Sequence, residues 1–381
     1  MFFPNIKLSQ AELRTDEEFR TMSDEEFHLA STPLNDLMGF NFIHNVPLDY
    51  MHLVCLGVMK KLLMLWQKSK MKYHLNPQHI ENISGRLTSL RLYTPAEFSR
   101  KPRSLAFYKL WKATEYRQFL MYVGYYSIEN IVHQNVLINF TTLMCAIRIF
   151  SKAHQDEISY GHDLIEYFLK TFRILYTEDN MSYNVHNLLH LANDVTTHGA
   201  LDNFSAFKFE NYLFKLKKLV KKTSQPLQQI QNRFVEGFQE QIEDPKPCGI
   251  VESSHHCNGP LPEMMSPDTA QYSRAYINNL LLNTLSKGNN CFLLDNENIV
   301  IVENIFVRRN CTKIFAKQFT VVDNVFNKPC DSKSVGIYLL KCAAEHLEEY
   351  SFSQLKRKLY LLPRTGSNDA SFMGVEMIHV V

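Results

Sequence analysis

The sequence predicts an α+β protein that is mostly helical and ends in a small β-rich domain. Apolar residues recur at helical spacing from Tyr50 to about Asn193, and again from Ser205 toward Gln241. Five prolines between residues 245 and 267 indicate a linker. Short apolar runs beyond residue 290 are typical of strands. The expected parts are a first domain over residues 1–245, a linker with one helix over 246–290, and a β-rich domain over 291–381.

Two capping signals and one strand-like stretch precede the helical part of the chain. Thr15 and Ser23 are each followed three residues later by a glutamate, which is the pattern of a capping box at a helix start. Residues 40–46 combine aromatic and β-branched side chains and stop at Pro47, which predicts a strand. Asp49 comes directly after this predicted strand end.

Helical periodicity continues through the rest of the first domain. Residues 53–66 are strongly apolar, as expected of a buried helix. From Ser205 to about Lys222 the apolar residues recur every three or four positions, which predicts an amphipathic helix. Further helices are predicted at residues 77–92, 111–125, 128–151, 161–176, 182–195, 226–241 and 271–285, and strands at 291–294, 299–307, 314–322 and 337–342.

Composition limits the classes of function that are open to the chain. Its 381 residues include 41 basic and 39 acidic side chains, so a nucleic-acid surface has to be a local patch. No run of apolar residues is long enough for a transmembrane helix, and the first residues lack the pattern of a signal peptide. The scattered cysteines favour reduced thiols in the nucleus or cytosol. We therefore expect no membrane partner.

Four features could carry chemistry, and each has a structural alternative. Asp49 with His52 three residues later could be a catalytic pair, or Asp49 could be a helix N-cap. His186 and His190 lie one helical turn apart and could instead pack in a helical core. Glu210 could simply face the positive end of its helix dipole. The lysines of the same helix could form only a solvated face; they are Lys215, Lys217, Lys218, Lys221 and Lys222.

The combination of an acid and a row of cations on one helix favours phosphodiester chemistry. Lys217 and Lys221 follow Glu210 by seven and eleven residues, so they share its side of the helix. Carboxylates bind the Mg²⁺ or Mn²⁺ ions that activate an attacking oxygen and stabilise the leaving one. Lysines beside them would neutralise the phosphates of a nucleic acid.

At these residues the chain resembles transposases of the CACTA (En/Spm-like) type, in the CACTA–Mirage–Chapaev superfamily. The resemblance covers about residues 46–240, with the order D-x-x-H, a long helical segment, H-x-x-x-H and an F-E-N-Y helix. The matching stretches are residues 46–63, 100–104, 111–120, 183–191 and 205–212.

The resemblance implies an RNase H-like core with a metal-binding D-D-E triad that cuts and joins DNA. Asp49 then matches the second aspartate, His52 the histidine after it, and Glu210 the glutamate. Asp49 and Glu210 would bind Mg²⁺ or Mn²⁺, with His186 and His190 in a supporting role. The segment over about residues 53–193 would be the helical insertion of the family.

This sequence departs from the family pattern at the first catalytic aspartate. Only 48 residues precede Asp49, and none of Asp16, Asp24 and Asp36 lies in a convincing strand. We therefore expect a partial RNase H-like core that lacks its first strands, from a truncated or domesticated transposase. Such a protein would be nuclear, would bind DNA, could form homo-oligomers, and would be catalytically impaired because one acid of the triad is missing.

Two other functions remain open from the sequence. The chain could be a non-enzymatic nucleic-acid or chromatin-binding module that uses the lysine helix and the loop residues Arg100, Lys101 and Arg103 on phosphates. It could also be a helical interaction scaffold without a nucleic-acid role. If the chain is inert, we expect it in the cytoplasm rather than in the nucleus. A close approach of Asp49 and Glu210 would favour the transposase relic over both alternatives.

Overall fold

A computed structural model of the chain confirms the α+β class, with helices up to residue 240 and antiparallel strands from residue 251. The chain forms two compact units, one of residues 1–75 and 132–206 and the other of residues 76–131 and 207–381. Residues 76–131 therefore belong to the same unit as the strands. The residues that the structure describes are 14–23, 28–68, 70–240, 251–263, 265–266, 269–277, 280–309, 311–364 and 371–378.

The helices agree closely with the predicted positions. A nine-residue π-helix over Met51–Met59 continues directly into the α-helix that begins at Lys60, and a second π-helix over Phe119–Val123 joins two short α-helices. The α-helices are α1 (Asp16–Arg20), α2 (Lys60–Trp66), α3 (Pro77–Ser89), α4 (Ala113–Gln118), α5 (Gly124–Ile128), α6 (Gln134–Lys152), α7 (Ile158–Tyr176), α8 (Tyr183–His186), α9 (Leu191–His198), α10 (Ala206–Leu219) and α11 (Pro226–Glu240).

The first of the two predicted capping boxes is confirmed at α1. The hydroxyl of Thr15 accepts a hydrogen bond of 3.2 Å from the amide of Glu18, whose carboxylate accepts one of 2.7 Å from the amide of Thr15. The helix predicted to follow Ser23 falls on residues 24–27, which lie outside the described residues.

The core of the first unit is built from the apolar segment that ends at Trp66 and from α6 and α7. Trp66 is buried, and its Nε1 donates a hydrogen bond of 2.8 Å to the hydroxyl of Tyr176. The indole ring also packs on Phe140 with ring centroids 5.9 Å apart. The π-helix approaches α8 so closely that a Cβ on Gly57 would lie 2.5 Å from Nδ2 of Asn184. Residues 51–66 thus contact α6 and α7 through Trp66, and α8 through Gly57.

The strand predicted at residues 40–46 is wrong, because these residues form turns. Side chains satisfy their backbone groups where a neighbouring strand would otherwise do so. The amide of Phe42 donates to Oδ1 of Asp16 at 2.6 Å, and the amide of Asn41 donates to Oδ1 of Asn45 at 2.6 Å. The described residues before Val251 include no strand with which this stretch could pair.

In the second unit, antiparallel strands close into a ring. The strands are β1 (Val251–His256), β2 (Gln271–Ile277), β3 (Leu280–Asn283), β4 (Cys291–Leu294), β5 (Ile299–Arg308), β6 (Cys311–Asp323), β7 (Ile337–Ala343), β8 (Glu348–Ser351), β9 (Leu355–Arg364) and β10 (Ser371–Glu376). The pairing β4–β5–β6–β7–β10–β9 returns to β4, while β2 extends the sheet from β5 and β8 pairs with β6.

Both faces of β4 are buried. Alternate residues of a strand point to opposite faces, and all four residues of β4 are buried. Cys291 and Leu293 belong to a cluster made of ring strands alone, together with Leu340 and Leu359. The other two residues of β4 belong to a second cluster that includes β2, β3 and β8. The apolar runs beyond residue 290 therefore fill two layers of core.

The helix predicted at residues 271–285 is wrong, because these residues form β2 and β3. The inward positions of β2 are Gln271, Ser273 and Ala275, which are all buried. Because these side chains are polar or small, the strand shows no alternation of apolar and polar residues. The sheet therefore begins in the segment that was predicted to be a linker.

A buried lysine connects the helical segment of the second unit to the sheet. The side chain of Lys358 on β9 is fully buried, and its ammonium donates to both carboxylate oxygens of Glu97 at 2.8 Å. It also donates to Oδ1 of Asn289 at 2.6 Å and to the carbonyl of Leu281 at 2.7 Å. The amide of Ala96 donates to the same asparagine oxygen at 2.9 Å. Segment 76–131 is thus anchored on the sheet.

We predict that Lys358→Met lowers the free energy of unfolding by about 3–5 kcal/mol, because it leaves the Glu97 carboxylate buried without its cation. Adding Glu97→Gln should restore part of the loss by removing that charge. Urea denaturation of the three proteins at neutral pH measures both effects.

Lys356 on the same strand provides a matched control. Its ammonium pairs with Glu297 at 2.5 Å, but the two side chains are 48% and 66% exposed. Lys356→Met should therefore cost less than about 1 kcal/mol. Equal losses of stability for the two lysine substitutions would contradict the anchoring role of Lys358.

Candidate functional site

Asp49 caps two helix starts with one carboxylate. Its Oδ1 accepts hydrogen bonds from the amides of Met51 at 3.1 Å and Ala206 at 2.7 Å. Its Oδ2 accepts from the amide of His52 at 3.0 Å and from Nδ1 of the same residue. Asp49 therefore has the N-cap role that the sequence left open, at the π-helix and at the first residue of α10. A negative charge is favourable at such positive helix ends.

These hydrogen bonds occupy the positions that a metal ion would need. An ionised carboxylate offers about four lone-pair sites, and Asp49 accepts four hydrogen bonds. Mg²⁺ or Mn²⁺ could coordinate Asp49 only by displacing one of the donors. The donor set around Asp49 therefore does not fit the metal site that the family resemblance implies. Within the described residues, no three acidic, histidine or cysteine side chains form a group suited to a metal ion.

His52 and Glu210, the other two members of the predicted catalytic set, belong to different compact units. The His52 side chain is 59% exposed and directs Nδ1 to Asp49. Glu210 is an exposed residue in the second turn of α10, which falls in the second unit. The structure thus brings together Asp49, His52 and Ala206, the first residue of the helix that carries Glu210.

Sequence reasoning missed Asp194, a half-buried acid in the same unit as Asp49. Its Oδ2 accepts a hydrogen bond of 2.9 Å from the amide of Leu48, the residue before Asp49. Burial raises the pKa of the Asp194 carboxyl, and the bond from Leu48 partly opposes that shift. Asp194 follows His186 and His190 at four-residue intervals. That spacing places the three residues on one helical face and could have identified the acid.

His186 and His190 pack in the manner of core residues. Their rings are 5.8 Å apart between centroids in an edge-to-face arrangement. Burial lowers the pKa of both imidazoles, and the neighbouring His186 and His162 lower the pKa of His190 further. Neutral, partly buried rings agree with the alternative that the sequence left open, in which the two histidines pack in a helical core.

The lysine helix α10 is exposed along most of its length. None of its residues is buried. The helix is amphipathic, as predicted, but its apolar side remains exposed to solvent: Phe209 is 66% exposed and Leu213 is 59% exposed. Lys218 lies over the ring of Phe214 at 4.5 Å from the centroid. The exposed lysines of the helix and the turn after it are Lys208, Lys215, Lys217, Lys218, Lys221 and Lys222.

The basic loop before α4 combines exposed charges with a structural arginine. Arg100 and Lys101 are exposed. Arg103 instead forms a bidentate pair with the buried Glu115, with nitrogen–oxygen distances of 2.5 and 2.8 Å. It also donates to the carbonyl of Leu110 at 2.9 Å. The sequence predicted that all three cations bind nucleic-acid phosphates. In the structure, Arg103 instead binds Glu115.

We predict that Arg103→Gln lowers the free energy of unfolding by about 2 kcal/mol, because Glu115 loses two charge-assisted hydrogen bonds while it remains buried. Arg100→Gln, at an exposed position of the same loop, should change stability by less than about 0.5 kcal/mol. Chemical denaturation measures both values. A stable Arg103→Gln protein that binds DNA less tightly would instead make Arg103 a phosphate contact.

We also predict a pH dependence of stability from the two partly buried histidines, His186 and His190. Their pKa values lie below the ordinary 6.5 in the folded state, so the unfolded chain binds protons first as the pH falls. Wild-type stability should therefore decrease from pH 7.5 to pH 5.5. The variant His186→Gln/His190→Gln should lose less stability over this interval, and His154→Gln, at an exposed histidine, should behave like wild type. Equal pH profiles for the double variant and wild type would contradict the assignment.

Residues 255–377, which make up most of the sheet-containing C-terminal region, match a family described as a domain of unknown function, DUF8592. No curated protein and no solved structure matches the chain. Among the described helices, none combines the length and apolar character that crossing a membrane requires.

Proposed function

We propose that the chain is a nucleic-acid-binding protein derived from a CACTA-type DDE transposase, and that it does not cut DNA on its own. The observation that carries this proposal is α10, on which every lysine is exposed and none of the residues is buried. The only acid between residues 206 and 222 is Glu210, against six lysines. Such a surface attracts the phosphates of a nucleic acid.

The transposase ancestry is supported by the path of the chain between its two motifs. Asp49 of the D-x-x-H motif accepts a hydrogen bond from Ala206, the first residue of the F-E-N-Y helix, across 157 residues of sequence. An insertion between the second acid and the glutamate of the family has to end near the second acid, and here Ala206 contacts Asp49. The RNase H-like relation of the core is part of the same proposal and rests on the motif order.

The loss of cleavage activity is supported by the surroundings of Asp49. Its lone pairs are engaged by the amides of two helix starts and by His52. A second aspartate that serves as a helix cap has little means of positioning two metal ions. The inherited acid has thereby become a structural residue.

We predict that Asp49→Ala lowers the free energy of unfolding by about 2 kcal/mol, since two helix starts each lose a cap. The loss should be the same with Mg²⁺, with Mn²⁺ and with a chelator, as measured by urea denaturation. Asp49→Asn serves as the control that removes the charge but keeps one acceptor oxygen. Metal-dependent stabilisation or DNA nicking by wild type that Asp49→Asn abolishes would overturn the non-catalytic assignment.

We predict salt-dependent DNA binding through α10. Fluorescence anisotropy with a labelled oligonucleotide should show affinity falling with salt. Lys215→Gln/Lys217→Gln/Lys218→Gln should reduce the logarithmic slope by about 0.9 for each phosphate that the variant no longer neutralises. A control triple variant removes equal charge at exposed lysines elsewhere, namely Lys170, Lys333 and Lys356. Equal effects of the two triple variants, or binding that is insensitive to salt, would contradict the proposal.

A further inference from the structure

The exposed rings of α10 are the feature that phosphate binding alone leaves unexplained. Phe209 is 66% exposed, Tyr212 is 49% exposed and Phe214 is 60% exposed, all within two turns of one helix. Phosphates make no use of an aromatic face, and a lysine-rich surface needs no aromatic rings. Large exposed apolar side chains that are clustered mark an interaction surface.

The positions of rings and lysines on the helix are interleaved. Phe209 and Tyr212 are three residues apart and therefore lie on one face, about 4.5 Å apart along the helix axis. Lys208 precedes Tyr212 by four residues and Lys215 follows it by three, so cations flank this ring on the same side. The face presents planar apolar groups between positive charges.

We infer that this face of α10 binds single-stranded nucleic acid, with unpaired bases stacked on Phe209 and Tyr212 and phosphates beside the lysines. The inference rests on the proposed function and names its substrate class. An unpaired strand alternates negative phosphates with exposed planar bases, which matches the alternation on the helix. A duplex keeps its base faces stacked inside and offers this helix only phosphates.

Charge argues against a second copy of the chain as the occupant. Residues 206–222 contain six lysines and a single glutamate. Two such helices placed face to face would bring like charges together, which opposes association. A polyanion with planar apolar groups is complementary to both properties of the face.

The test compares the full chain on a labelled oligothymidylate and on a duplex of equal length. Wild type should bind the single strand more tightly. Phe209→Leu/Tyr212→Leu should weaken single-strand binding about fivefold or more for each base that can no longer stack, and should leave duplex binding unchanged. Phe107→Leu/Tyr167→Leu is the matched control, because these rings are 56% and 47% exposed on other elements.

A second measurement reports stacking directly. Tyr212→Trp places an indole on an exposed face, whereas the natural Trp66 and Trp111 are buried. Oligothymidylate should quench the fluorescence of this variant, and the duplex should not. Circular dichroism of each variant establishes that the helix content is unchanged.

The outcomes separate this inference from the proposed function. Equal affinity for the two probes, with no effect of Phe209→Leu/Tyr212→Leu, overturns the single-strand inference and leaves salt-dependent DNA binding standing. No binding to either probe overturns both. A change of molar mass by light scattering in that variant, without a change in binding, would make the face a contact between copies and overturn the inference.

Discussion

The second unit depends on the burial of one positive charge. An ammonium removed from water needs acceptors inside the protein, and Lys358 takes them from Glu97, Leu281 and Asn289. These acceptors belong to the segment after α3, to β3 and to the turn before β4. A single buried cation thereby fixes where a helical segment meets strands far from it in sequence. Thr94 adds a second contact to the sheet, 2.9 Å from the hydroxyl of Tyr360.

In the first unit, a negatively charged side chain has the corresponding role. Asp49 collects backbone donors from the π-helix and from Ala206, so its negative charge ties two distant chain segments together. Helix starts leave amides unsatisfied, and a carboxylate at that place is well suited to satisfy them. Removal of the Asp49 carboxylate would therefore cost stability at both helix starts.

The proposed binding surface belongs to a part of the chain whose apolar side chains remain in solvent. Helices α10 and α11 leave large apolar groups uncovered, including Leu213 at 59% and Leu227 at 80% exposure. On α10, lysines surround these exposed apolar side chains. Exposed apolar area costs free energy in water. Apolar side chains that stay exposed beside a cluster of cations are therefore more consistent with a surface that binds an anionic partner than with one that only keeps the protein in solution.

Local patterns determined the helices, the cap at Thr15 and the position of the lysines, because helical periodicity and capping act over a few residues. They also determined that the C-terminal region is rich in strands. Only the tertiary structure decided that Asp49 meets Ala206, that Arg103 meets a buried Glu115, and that segment 76–131 joins the sheet. These partners are distant in sequence and leave no local signal. The strand β2 escaped prediction for a related reason: its buried face is Gln271, Ser273 and Ala275, and only their neighbours in space show that this face is inside.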